Sequence, residues 1–296
     1  MLTGNGYKKL MALISMVDDP DEKVFHSLKN QVLSFEEDAV PVLEDAWMAA
    51  TDLLVANRLE ELLEEVNFRT VYNRIDEWLQ KQEYDLTEAV FLINKFGIKD
   101  LDIKSYQSGL DHVLKDVWLE MNENLTALEK IKVLNHIFFE VHGFNSKQTN
   151  NEEVQHFFFS NLLNYKEGNP TSTGLLYLIA AQHLGLPVYG VNLPGHLILA
   201  YVDDRHKLKN NDGYTRNDVL FYINPYNGGA VFTDNEIELY IKQVKLKHKE
   251  HYFLPASNKL IIKRYLTELE KAYSRENKKV KSGYINKLKE LFVEKE

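Results

Sequence analysis

Apolar positions in the first 80 residues recur at helical spacing and are interrupted at short intervals by acidic residues that can start a new helix. Leu10, Leu13, Ile14 and Val17 form the first stripe. Asp18 or Asp19 can cap a second helix whose first turn accepts Pro20 and carries Asp21 and Glu22, with Val24, Phe25, Leu28, Val32 and Leu33 on its apolar face. A third helix is expected from near Glu37, tolerating Pro41 in its first turns, and a fourth over residues 58–66. Pairs of short amphipathic helices build a HEAT-like solenoid segment and equally a plain helical bundle, and two units do not separate the readings. Helical spacing resumes from Val71 to about Glu140, with Trp78, Leu79, Phe91, Leu92, Trp118, Leu119, Leu134, Ile137 and Phe138 as its expected core. A polar loop is predicted over residues 143–151.

The texture changes after Gly168. Residues 171–184 are almost all apolar, as in a helix buried on every side, and short strands are expected at 188–191, 197–202 and 219–223. A polar loop over 203–218 separates the last two, and Asn224-Pro225-Tyr226-Asn227-Gly228-Gly229 reads as a turn. A buried helix followed by a small antiparallel sheet, in a chain otherwise predominantly helical, is an α+β arrangement.

Composition narrows this picture. Apolar residues make up 44% of the 296 and charged residues 27%, enough for a sizeable core and too apolar for a disordered chain. The formal charge of −9 is unevenly spread, since residues 241–296 hold 15 basic and 7 acidic residues while 1–240 hold 20 and 37. That basic helical tail could meet an acidic partner, or Leu260, Ile261, Tyr265, Leu266 and Leu269 could dock it and leave its lysines solvated. Scarce arginine and the lack of interleaved aromatics weigh against nucleic acid. Residues 10–17 follow two lysines but run into acidic residues without a small-residue cleavage site, so they read as a buried helix and not a leader. Without an apolar run of about 18 residues there is no membrane span, and the expectation is a cytoplasmic protein. The absence of cysteine removes disulfides, cysteine-held metals and thiol nucleophiles. Phosphate-binding glycine loops and His-Glu-x-x-His are also missing, so no cofactor is implied. His248 and His251 sit three apart on a possible helix and read as surface residues and not as metal ligands.

Three places carry candidate chemistry: Gly168-Asn169-Pro170-Thr171-Ser172 at the start of the buried helix, His196 at the start of the second strand, and Asn224 at the end of the third. A helix N-terminus, a strand-borne histidine and a strand-borne Asp or Asn, in this order, are the parts of a nucleophile, base and orienter set. The simpler alternative is that Asn169 caps the helix, Pro170 takes its first position and the hydroxyls serve the first turn.

Residues 171–187, the Leu193-Pro194-Gly195-His196 element and Asn224-Pro225-Tyr226-Asn227-Gly228-Gly229 together resemble the SirB1 branch of the transglutaminase-like superfamily, and the likeness extends over residues 10–245. The resemblance implies a transglutaminase-like (papain-like) core at 76–245, preceded by a HEAT-like helical segment at 1–75 and followed by the basic helical tail at 246–296. In catalytic members the nucleophile is a cysteine about 15 residues before the glycine that ends the helix, and here that position is Pro170. His196 matches the histidine and Asn224 the acidic orienter. The expectation is therefore a non-catalytic protein that binds or regulates through a protein or peptide partner. The alternative is a serine-dependent amide or peptide hydrolase using Ser172, His196 and Asn224.

Overall fold

The computed structural model describes residues 4–98, 101–144, 153–203 and 213–293, and the chain divides into two compact units, Met1–Gln80 and Lys81–Glu296. Most of the polar loops expected at 143–151 and 203–218 lies outside the described residues.

In the first unit, α1 (Gly4–Ile14), α2 (Glu22–Leu33) and α3 (Val40–Ala49) precede a long α4 (Leu53–Leu79). Asp21 caps α2 by accepting from the Lys23 N–H, and Asp52 caps α4 by accepting from those of Leu54 and Val55. Helix α4 runs without a break through residues 67–70, where the pattern suggested a boundary. Asn67-Phe68-Arg69-Thr70 holds no glycine or proline, so nothing interrupts the hydrogen-bond ladder. Leu10, Phe25, Leu28, Leu43, Leu59 and Leu62 lie at the centre of this unit's core.

Buried among them is Arg58, an unusual core residue that survives because its donors are spent. Its Nη1 donates to the carbonyl oxygens of Val17 and Asp19, its Nη2 pairs with Glu22 at 2.7 Å, and its guanidinium covers the Phe25 ring at 4.5 Å. One side chain thus closes the turn between α1 and α2.

The second unit is the α+β part. Helices α5 (Leu86–Gly97), α6 (Ile103–Glu120), α7 (Ala127–Asn135) and α8 (Phe159–Tyr165) lead to α9 (Pro170–His183). A π-helical turn, His136–Val141, continues α7. Trp118 and Leu119 were expected inside, but α6 buries Tyr106, Leu110, Val113, Leu114 and Val117, and the next two positions rotate away from that stripe, leaving Trp118 65% exposed. Helix α9 is buried from Thr171 to Ala181, as its unbroken apolar run predicts.

The sheet that follows is an antiparallel meander in the order β1 (Val188–Leu193), β2 (His196–Val202), β3 (Val219–Asn224), β4 (Ala230–Phe232). Helix α9 packs against β1 and β2. On the other face, α10 (Asp234–Gln243) joins Val191, Ile198, Ala200 and Tyr222 in a second core through Ile237 and Ile241. The last two helices, α11 (Asn258–Arg275) and α12 (Lys279–Glu290), pair with each other, and α11 lies along β1. Two contacts set that approach. The Ala256 N–H donates to the Gly190 carbonyl, and Ile261 sits so close that a Cβ at Gly190 would stand 2.5 Å from its Cδ1. The basic segment therefore docks by an apolar face, Ile261, Ile262, Tyr265, Leu266 and Leu269, within the second unit.

Candidate functional site

At the start of α9 the chain satisfies its own backbone. Asn169 is the N-cap, its side-chain oxygen accepting from the Ser172 N–H at 2.7 Å, and Pro170 takes the first helical position, where a missing N–H costs nothing. Ser172 completes the reciprocal capping box. Its Oγ accepts from the Asn169 N–H at 3.0 Å and donates to the His156 carbonyl at 2.7 Å, and the residue has no solvent exposure. The serine proton is thus committed to the main chain.

His196 is placed by the β1–β2 hairpin. Leu193 and His196 are paired across the two-residue turn Pro194-Gly195, in which Gly195 takes φ +82°. A Cβ at Gly195 would stand 2.6 Å from the Tyr240 hydroxyl, so both the conformation and the close approach call for glycine. Tyr240, on α10, donates to the Pro194 carbonyl at 2.9 Å and meets the His196 ring edge-on, with centroids 4.9 Å apart. Among the described residues neither ring nitrogen of His196 has a hydrogen-bond partner. Partial burial, reinforced by the Arg264 charge and opposed by Glu268, holds its pKa below the usual 6.5, so the imidazole is neutral at pH 7.

Asn224 ends β3 as expected, but its side-chain oxygen accepts from the Tyr226 N–H at 3.1 Å, an Asx turn that shapes the loop. That loop is anchored to the helices: Tyr177 donates to Asn135, and Asn135 donates to the Gly229 carbonyl at 2.8 Å. Ser172, His196 and Asn224 occupy the three expected elements. Among the described residues, no hydrogen bond joins any two of them.

The polar groups beside His196 come instead from α11. Arg264 reaches over the end of β1, its Nη1 donating to Asn192 Oδ1 at 3.1 Å and to the Leu193 carbonyl at 2.6 Å, while Nη2 pairs with Glu268 at 2.9 Å. The second oxygen of Glu268 accepts from the Thr171 hydroxyl in the first turn of α9. A line of contacts therefore runs from the α9 N-terminus through Glu268 and Arg264 to the hairpin that carries His196. Sequence reasoning passed over Arg264, Glu268 and Tyr240. Opposite charges at i and i+4 beside the apolar stripe of a docked helix were the available signal for the first two.

Among the described residues, no cluster of three histidines or carboxylates could hold a metal ion. A groove of about 600 Å³ lies at the opposite end of α9, between residues 82–85, the α9–β1 connection and Ala256–Asn258, away from His196. No described helix is long and apolar enough to cross a membrane.

Comparison with curated proteins finds relatives named only UPF0162 protein. One from Xylella fastidiosa strain 9a5c is 22% identical over 199 residues, 65% of this chain and 66% of that protein. A second, from Xylella fastidiosa strain Temecula1, is 22% identical over 152 residues, 51% of this chain and 50% of that protein. One from Vibrio cholerae is 23% identical over 197 residues, 66% of this chain and 68% of that protein. The alignments thus span from half to about two thirds of the relatives' own lengths. No solved structure matches. The family model described as transglutaminase-like superfamily matches residues 104–267, the stretch from α6 to α11 that contains the α9 N-terminus, the hairpin and Arg264. By that match, which takes in more than half of its length, the chain belongs to the transglutaminase-like superfamily.

Proposed function

We propose that this chain is a non-catalytic protein of the SirB1 branch, cytoplasmic, which binds a protein or peptide partner at the surface around His196. The observation that carries the reading is the state of Ser172: fully buried, its hydroxyl donates to the His156 carbonyl and accepts from the Asn169 N–H. A nucleophilic hydroxyl must pass its proton to a base and reach a substrate carbon. Ser172 is bonded to main chain on both sides, the thiol position is Pro170, and the sequence contains no cysteine. Asn224, the third member of the alternative serine hydrolase, spends its side-chain oxygen on the Tyr226 N–H. His196, exposed and neutral, with ring nitrogens that no described residue engages, is suited to recognition, because it can donate at one nitrogen and accept at the other.

The test is covalent labelling. The full-length protein is incubated with a fluorophosphonate, which traps reactive serines, and assayed on amide and ester substrates. Intact mass without an adduct, and no turnover above a His196→Ala control, are expected. An adduct mapped to Ser172, or turnover lost in His196→Ala, would establish the hydrolase instead.

A further inference from the structure

The α9 N-terminus carries more donor capacity than the fold consumes. Among the described residues four buried side-chain polar atoms have no hydrogen-bond partner, and three of them, Asn169 Nδ2, Thr173 Oγ1 and Arg264 Nε, belong to this corner of the molecule. Unpaired polar atoms at this depth are uncommon in folded proteins and ask for an explanation. Asn169 is the cap of α9, 2% exposed, and the Arg264 side chain is 8% exposed. Asn169 Nδ2 and Arg264 Nε can only donate, so the partner they lack is an acceptor. The carboxylate already present, that of Glu268, shows what chemistry the corner takes. Its carboxylate is held between the Thr171 hydroxyl, in the first turn of a 14-residue helix, and the Arg264 guanidinium. A helix N-terminus and an arginine both favour a carboxylate, the first through its dipole and the second through paired N–H donors. Glu268 is itself 29% exposed, so its position is reachable from solvent.

We propose that the α9 N-terminus is a carboxylate-binding site whose resident occupant is the chain's own Glu268, and that a ligand binds by placing its carboxylate between Thr171 and Arg264 in exchange. Glu268 then acts as a built-in competitor. It keeps Arg264 neutralised when the site is free, and it sets a threshold that only a ligand with further contacts around His196 passes. This rests on the binding role proposed above and adds the chemical class of the ligand, which is a carboxylate from a peptide C-terminus or from a small acid.

Removing the competitor exposes the site. In Glu268→Ala, Arg264 and Thr171 lose their partner, and an added carboxylate should replace it. Thermal unfolding of the full-length variant is measured in sodium acetate and in sodium chloride at equal ionic strength. A melting temperature higher in acetate by about 2–4 °C is expected at concentrations well above half-saturation, with a smaller difference in the unsubstituted protein. Acetyl-trialanine with a free C-terminus, run against its amide, separates the sources. A response to the free acid peptide at lower concentration than to acetate identifies a peptide terminus, and a response to acetate alone identifies a small acid. Glu268→Gln, which keeps the volume and an acceptor for Thr171, serves where Glu268→Ala does not fold. Equal melting in acetate and chloride, with no difference between the free and amidated peptides, overturns the proposal. That result would leave the labelling test untouched, and a Ser172 adduct would likewise leave the acetate response to be judged by itself.

Discussion

Arg58 in the first unit and Arg264 in the second have almost the same burial, with side chains 5% and 8% exposed, and similar partners, two neighbouring oxygens of another element and a glutamate. Their surroundings differ. Arg58 also stacks on Phe25 and ties together the main chain between α1 and α2, so it acts as a core residue with a charged end. Arg264 has a buried Nε without an acceptor among the described residues and a glutamate that also receives the Thr171 hydroxyl, beside a histidine whose pKa its charge depresses. Burial and ion pairing alone do not separate a structural arginine from one that belongs to a site. In the reading proposed above, the unspent donor and the neighbouring histidine are what set Arg264 apart.

The largest expected effect tests that distinction directly. Arg58→Ala strands the Val17 and Asp19 carbonyls and removes packing on Phe25, and should cost about 2–4 kcal/mol. Arg264→Ala removes a donor from the Leu193 carbonyl and from Asn192 and the partner of the part-exposed Glu268, and should cost about 1–2 kcal/mol. Urea unfolding followed by tryptophan fluorescence reads the two separately, because Trp47 and Trp78 lie in the first unit and Trp118 in the second. The reverse order would break the comparison.

A smaller effect sharpens it at Ser172. Ser172→Ala leaves the Asn169 N–H with only its longer contact to His156 and removes one donor from the His156 carbonyl, at about 1 kcal/mol. Chemical denaturation should show this loss while fluorophosphonate reactivity stays at zero. A change in reactivity without a change in stability would mean that the serine is chemical and not structural.

The smallest effect is in pH. Burial is the main cause that holds His196 and His142 below 6.5, with Arg264 adding to it at His196 and Lys166 at His142, while Glu268 and Asp116 oppose it. A histidine with a lowered folded pKa is protonated more readily in the unfolded chain. Its contribution is therefore complete above 6.5 and is lost as pH falls through the folded value. Melting temperature of the second unit should fall between pH 7.5 and about pH 5. The fall should be shallower in His142→Gln, whose ring is 7% exposed, than in the unsubstituted chain, and an unchanged slope would remove His142 from the account.

Much of the fold was readable along the chain because local patterns carried it. The apolar run after Gly168 reads as a helix buried all round, Asn169-Pro170 offers a cap and a first helical position, and the strands expected at 188–191 and 197–202 are the ones the structure joins through Pro194-Gly195. The cap of α2 falls later than expected, at Asp21 and not at Asp18 or Asp19, because the chain still turns through Asp19-Pro20 before the helix begins, and Asp52 caps α4. Readings failed where local pattern was silent. Helix α4 runs on because no residue stops it, and Trp118 faces outward because stripe membership depends on which side of α6 meets its neighbours.

The sequence by itself determined the α+β class, the antiparallel strands on either side of His196 and the absence of any thiol, since each depends on residue type and spacing along the chain. Only the tertiary structure decided what surrounds His196. Arg264 and Glu268 lie about 70 residues beyond it, and nothing in their own neighbourhood of sequence says which element α11 will lie against. The close approach of Ile261 to Gly190 makes that choice, and packing of this kind is a property of two surfaces meeting, which no one-dimensional pattern encodes.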